Sequence, residues 1–164
     1  MTFTLPDTDG ADHSPGGPAT AVVFTCNHCP YALAWHDRIL DVARDYADRG
    51  VRVLLVNPND AERYPGDSYD AMKERVAADG GWPAPYLRDE SQEVARTYDA
   101  QTTPDVFVFD SDLRLRYRGA PDEDHGDPSQ NAAWMRQALD AVLAGDEPPQ
   151  AETKPVGCSV KWKS

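Results

Sequence analysis

Only three of the 164 residues are cysteine, and no stretch runs apolar for the roughly 18 to 20 residues that a bilayer-spanning helix needs. The first residues, Met1-Thr2-Phe3-Thr4-Leu5-Pro6-Asp7, have neither a basic start nor an apolar core, so no signal peptide is expected and the protein is expected to be cytoplasmic. Lysine is also scarce, at 4 against 12 arginines, while 21 Asp and 7 Glu bring the formal net charge to −12. A surface of that sign repels phosphate backbones and anionic lipid, which excludes nucleic acid and membrane as expected partners. In a reducing compartment so few cysteines serve chemistry or metal binding and not a disulfide scaffold. A zinc site would want a second ligand pair, and beyond one cysteine pair the chain offers only Cys158 and scattered histidines at 13, 36 and 125. No cofactor motif is present.

What the sequence does have is Cys26-Asn27-His28-Cys29-Pro30, directly after the apolar run Ala21-Val22-Val23-Phe24. Two thiols three residues apart, where a β-rich segment gives way to a helical one, read as a redox pair. Unpaired N–H groups and the positive end of the helix dipole favour a thiolate there. This reading puts Cys26 near the helix N-terminus as the nucleophile and Cys29, one turn on, as the sulfur that resolves the mixed disulfide. Protonated His28 would stabilise a neighbouring thiolate, and Pro30 suits a first helical turn because its missing N–H would be unpaired anyway. Half of a zinc site and a pair of inert buried thiols remain the alternatives.

The 40% hydrophobic content and ordinary length fit one domain with a real core. A Pro- and Gly-punctuated start with an edge strand near Phe3–Leu5 leads to a central strand over 19–25 and a helix over 30–49 stopped by Gly50. Val51–Val56 is continuously apolar, as a strand buried on both faces requires, and completes a β-α-β unit. A short helix over 68–78 capped by Ser68, a minimal strand at Tyr86-Leu87 and a helix from Glu93 to Tyr98 with Ser91 as its cap follow. Thr102-Thr103-Pro104 precedes the β-rich 105–110, which turns at Ser111-Asp112 into a return strand at 115–118. A last helix over 132–143 ends the domain at 145, and 146–164 is an extended tail. That tail closes on Gly157-Cys158-Ser159-Val160-Lys161-Trp162, and a featureless tail carrying one cysteine and one tryptophan is expected to dock on the domain.

This order of elements, with C-x-x-C at the first strand-to-helix junction and Thr103-Pro104 before the hairpin, resembles the thioredoxin superfamily. The resemblance implies an α/β, thioredoxin-like three-layer sandwich: a mixed central sheet with helices on both faces. It also implies that Pro104 is the cis-proline facing the cysteines and that Thr103 offers its backbone to an extended substrate. The opening Phe-Thr-Leu-Pro-Asp-Thr-Asp-Gly, the Thr-Cys-Asn-His-Cys-Pro-Tyr core and the closing Gly-Cys-Ser-Val-Lys-Trp look more narrowly like peroxiredoxin-like redoxins of the AhpC/TSA type. In the T-x-x-C motif of peroxiredoxins the last residue matches Cys29, followed by Pro30, while the threonine position holds Cys26. Thr25 and Thr20 stand where thioredoxins have a tryptophan and a buried carboxylate, so the proton acceptor for the buried sulfur must be His28, a loop carboxylate or water.

Three functions therefore stay open. The first is a thiol–disulfide oxidoreductase using Cys26 and Cys29, acting on a protein disulfide and recharged by a thiol reductant system. The second is a thiol peroxidase with Cys29 or Cys26 oxidised by a peroxide substrate. The third is a metal-binding or metal-delivery protein using Cys26, His28 and Cys29. Cys158 is a second resolving cysteine, a cap on the pair, or a packed small hydrophobe.

Overall fold

In a computed structural model that describes residues 2–164, the chain folds around a five-stranded mixed sheet. β1 (Leu5–Pro6) and β2 (Asp12–His13) form a small antiparallel hairpin outside that sheet. β3 (Ala19–Phe24) runs into α1 (Pro30–Tyr46), which ends in a 3₁₀ turn closed by Gly50 at φ 77°, a left-handed conformation glycine adopts without strain. β4 (Arg52–Asn57), α2 (Tyr69–Ala78), β5 (Tyr86–Arg88), α3 (Glu93–Thr97), β6 (Thr102–Thr103), β7 (Asp105–Asp110), β8 (Leu115–Gly119), α4 (Ala133–Ala144) and β9 (Cys158–Ser159) follow. The sheet order is β5-β4-β3-β7-β8, with β3, β4 and β5 parallel and β7 and β8 antiparallel to their neighbours.

Every residue of β3 is buried, as its unbroken apolar run requires of a central strand. The period-2 alternation of a strand divides the run between two cores. Ala21 and Val23 pack with Val53, Leu55, Val106 and Val108 under Trp35 and Ile39 of α1 and Met135 and Leu139 of α4. Val22 and Phe24 face the other way, with Leu54, Val56, Phe107 and Phe109, under Ala95 of α3, Tyr98 and, from the tail, Val160 and Trp162. Tyr98 meets Phe24, Phe107 and Phe109 edge-on at centroid distances of 5.5–5.7 Å. The result is the three-layer α/β sandwich expected.

Differences are local. The edge strand near Phe3–Leu5 pairs in the outlying hairpin and not in the main sheet. The N-cap of α3 is Gln92, at φ 66°, although Ser91 Oγ still accepts the Glu93 N–H. Ser68 does cap α2, accepting the Ala71 N–H.

A buried acidic group fastens α1 to the segment leading into α4. Asp122 is 1% exposed; its carboxylate accepts from Trp35 Nε1 at 2.8 Å, Arg38 Nη1 at 3.1 Å and the backbone N–H groups of Asp124 and Ala132. The Ala132 contact holds a non-glycine residue in the left-handed region at φ 61°. Removing one partner of such a buried pair leaves the rest desolvated and unpaired. Asp122→Ala is expected to lower the unfolding free energy by about 3 kcal/mol or more, read as a shifted urea midpoint at unchanged slope. A loss below about 0.5 kcal/mol would contradict this account.

Candidate functional site

Cys158, distant in the chain, meets the Cys26–Cys29 pair at one place. Cys26 and Cys29 are 1% and 2% exposed; Cys158, half-buried, packs against them with Ala32 and Tyr31. The expectation that Cys26 sits at the helix terminus is corrected by the geometry. Cys29 is the N-cap residue of α1, with extended backbone (φ −73°, ψ 125°), because Pro30 takes the first helical position. Cys26 lies three residues earlier, in the segment between β3 and α1.

That difference divides the two sulfurs chemically. A hydrogen bond from the Cys26 thiol holds the Cys29 sulfur well below the ordinary thiol range, with further donation from the Cys158 thiol and from the N–H groups of Ala32 and Cys158. Burial opposes this and is outweighed. The same Cys29 bond, together with burial, pushes Cys26 far above the thiol range. Burial and the neighbouring Cys29 raise Cys158 to about 11. Cys29 is thus the one of the three poised as a thiolate.

Thr103 touches the whole set. The Thr103–Pro104 peptide is cis. Thr103 Oγ1 lies 3.4 Å from Cys26 Sγ, and its carbonyl oxygen lies 3.2 Å from Cys29 Sγ, which donates to it when protonated. Its backbone pairs with Cys158, since β6 and β9 run antiparallel with Thr103 opposite Cys158.

The turn between the cysteines is held by groups that local sequence pattern did not pick out. Asn27 N–H donates to Asp67 Oδ1 at 2.7 Å, and Asn27 Oδ1 accepts from Arg75 at 2.9 Å and from the Tyr86 hydroxyl at 2.7 Å. Arg75 also donates to the Cys26 carbonyl. Asp67, wholly buried, receives Asn57 Nδ2 on Oδ1, and Asn59 Nδ2 at 3.0 Å and His28 Nδ1 at 2.9 Å on Oδ2. His28 stacks on Tyr64, ring planes 9° apart. The nearest sequence signal is the polar run Asn57-Pro58-Asn59-Asp60, whose Asn and Pro residues mark the end of a strand and no particular chemistry. Asp67 lay in a stretch without periodicity. His36 is elsewhere, half-buried against Trp82, where burial lowers its pKa to about 4.

Ligand atoms of Cys26, His28 and Asp67 lie within 4.8 Å of one another, the one such group among the described residues. Asp67 already has four donors, so a metal ion would have to break a satisfied network. A cavity of about 310 Å³, lined by Cys26, His28, Cys29, Tyr64, Cys158 and Lys161 among others, gives small molecules a way in.

A mixed five-stranded sheet with a cysteine pair at the β3–α1 junction and a cis-proline loop beside it defines a thioredoxin-superfamily redoxin. The chain belongs to the AhpC/TSA family, whose model matches residues 1–118. A crystal structure of an uncharacterized conserved protein from Geobacillus kaustophilus is 39% identical over 99% of this chain and 89% of that one, with a TM-score of 0.92. A hypothetical protein from Sinorhizobium meliloti is 35% identical over 100% and 92%, also with a TM-score of 0.92. A secreted disulfide oxidoreductase from Mycobacterium tuberculosis, 16% identical over 87% and 95% with a TM-score of 0.60, shares the fold. No curated protein matches. The family match and the shared fold place the chain among thioredoxin-like redoxins.

The loop beside the sulfurs is shaped from below by Asp105, fully buried, whose carboxylate accepts the N–H groups of Gln101 and Thr102 and lies 3.8 Å from Arg118. Burial pushes it up to about 6, and Oδ1 has no hydrogen-bond partner. A folded-state pKa above the unfolded value means that its neutral form stabilises below the unfolded pKa and that this advantage is lost as pH rises through about 6. Asp105→Asn is therefore expected to raise stability by on the order of 2–3 kcal/mol at about pH 8 and by little at about pH 4. Urea unfolding at the two pH values reads the difference; an equal effect at both would refute it.

Proposed function

We propose that the protein is a thiol–disulfide oxidoreductase in which Cys29 attacks and Cys26 resolves. The observation that carries this is Cys29 as the N-cap of α1, with N–H and thiol donors around its sulfur, while Cys26 is held protonated beneath it. The Cys29 thiolate attacks one sulfur of a disulfide R–S–S–R′, forming a Cys29–S–S–R bond and releasing R′S⁻, which takes a proton from water. Cys26 passes its proton to the His28–Asp67 pair or to water and attacks Cys29 Sγ. That step forms the Cys26–Cys29 disulfide and expels RS⁻, which is protonated in turn. The substrate gains two electrons and two protons, and a thiol reductant returns the pair to the dithiol.

Low pKa also makes Cys29 the better leaving group when that disulfide is reduced, because the more stable thiolate departs faster. The attack order and the recharging step thus use the same asymmetry.

A second reading is favoured by one feature, Cys29-Pro30 opening the helix as in a T-x-x-C motif. There the thiolate would attack a hydroperoxide, releasing an alcohol or water and leaving a sulfenic acid. Condensation with the Cys26 thiol would release water and give the same Cys26–Cys29 disulfide. Only the oxidant differs.

Single-turnover oxidation of the reduced protein, quenched with acid and read by mass, separates the roles. Cys29→Ser is expected to abolish reaction with both disulfide and hydrogen peroxide. Cys26→Ser is expected to keep the first step and stop at the mixed disulfide or the sulfenic acid. A Cys29→Ser protein that still forms a mixed disulfide, beside an inert Cys26→Ser protein, would reverse the assignment.

A further inference from the structure

The backbone edge nearest the sulfurs is occupied. β9 is laid antiparallel on β6, with Cys158 opposite Thr103 and Ser159 opposite Thr102. The tail is fastened on both sides of that pair. Upstream, Thr153 Oγ1 bonds the Tyr117 hydroxyl and the Ala120 N–H, and the Thr153 backbone bonds Arg118. Downstream, Val160 is buried and its N–H donates to the Gln101 carbonyl. Lys161 N–H donates to Asn59 Oδ1, and its carbonyl accepts from Asp60 N–H and Gln92 Nε2. Trp162 lies under the Arg96 guanidinium at 4.6 Å, with its carbonyl bonded by Arg63.

Gly157 marks how closely the tail is pressed on. A Cβ at that position would come within 2.3 Å of the Thr103 carbonyl oxygen and 3.2 Å of Pro104 N. Its φ is ordinary, so the glycine is required by the approach of two backbones and not by a turn.

An extended polypeptide carrying a disulfide to buried sulfurs needs a strand edge to pair with, since main-chain hydrogen bonds supply the affinity of strand addition. Here the chain's own strand fills that edge and sets its own cysteine before Cys29, as such a peptide would. Cys26 and Cys29 are 1% and 2% exposed, so the remaining approach is through the cavity of about 310 Å³.

We propose that the tail is a built-in occupant of the strand-pairing edge at Thr103, which restricts the oxidoreductase to small-molecule disulfides and excludes extended polypeptides. This rests on the oxidoreductase reading above and names its substrate class. The exchange steps are unchanged; only what reaches Cys29 is selected.

The test is single-turnover oxidation of the reduced full chain by bis(2-hydroxyethyl) disulfide and by insulin, with formation of the Cys26–Cys29 disulfide read by mass. The wild type is expected to react with the small disulfide and at least about tenfold more slowly with insulin. Gly157→Val, which drives β9 off Thr103, is expected to raise the ratio of insulin rate to small-disulfide rate by about tenfold or more, and Val160→Asn, which removes the buried anchor, is expected to move it the same way. Because each variant is judged by its own ratio, its small-disulfide reaction also reports that the site still folds. Comparable wild-type rates with the two oxidants, or a ratio unmoved in both variants, would overturn the proposal while leaving the oxidoreductase reading intact. Inertness of the wild type toward both disulfides would overturn both.

Discussion

A single buried carboxylate sets the geometry on which the cysteine pair depends. Asp67 has no exposed surface and meets four donors: Asn27 N–H, Asn57 Nδ2, Asn59 Nδ2 and His28 Nδ1. A carboxylate taken out of water is tolerated only when its lone pairs are filled, so the four groups are fixed by the cost of leaving any of them out. Two of them belong to the dipeptide between the cysteines. Arg88, itself 3% exposed, continues the same network by donating to the carbonyls of Asn57, Asn59 and Asp67. The segment from Pro58 to Pro85 is therefore part of the site's frame and not an ornament on the sheet edge.

The sheet, its helices and the cysteine pair were legible because each rests on short-range pattern. β3 and β4 read as continuous apolar runs, α1 as a 3.6-residue repeat, and the β7–β8 hairpin as two β-rich stretches about a turn. The N-cap was misjudged although its signal was present. Pro30 at the first helical position makes Cys29 the cap, whereas the strand-to-helix junction alone points to Cys26. Asp67 and the β6–β9 pairing were not legible. Asp67 reaches the cysteine turn across 40 residues and β6 meets β9 across more than 50, and no periodicity reports a contact made by loop closure. The cysteine and tryptophan in the tail implied docking but could not say where.

Thr103 is where the two levels of structure join. Its hydroxyl faces Cys26, its carbonyl faces Cys29, and its backbone pairs with Cys158. When Cys29 is protonated it donates to that carbonyl; when it is ionised the carbonyl is an unfavourable neighbour, and the donors on the helix side and from Cys26 and Cys158 must outweigh it. The low pKa of Cys29 thus rests on the balance of fixed dipoles around its sulfur.

That balance constrains how the site can be opened. Moving β9 away to admit a larger partner would remove the two Cys158 donors from Cys29 while leaving the Thr103 carbonyl in place, so access and thiolate character work against each other. A cavity that admits a small oxidant past a seated tail keeps both. The close approach at Gly157, with no room for a Cβ against Thr103, is the local cost of that solution. Burial of the sulfurs, the glycine in the tail and the low pKa of Cys29 then belong to one arrangement: the Cys26 thiol first, with the Ala32 N–H and the Cys158 donors that the chain lays across its own sheet edge, converges on one sulfur.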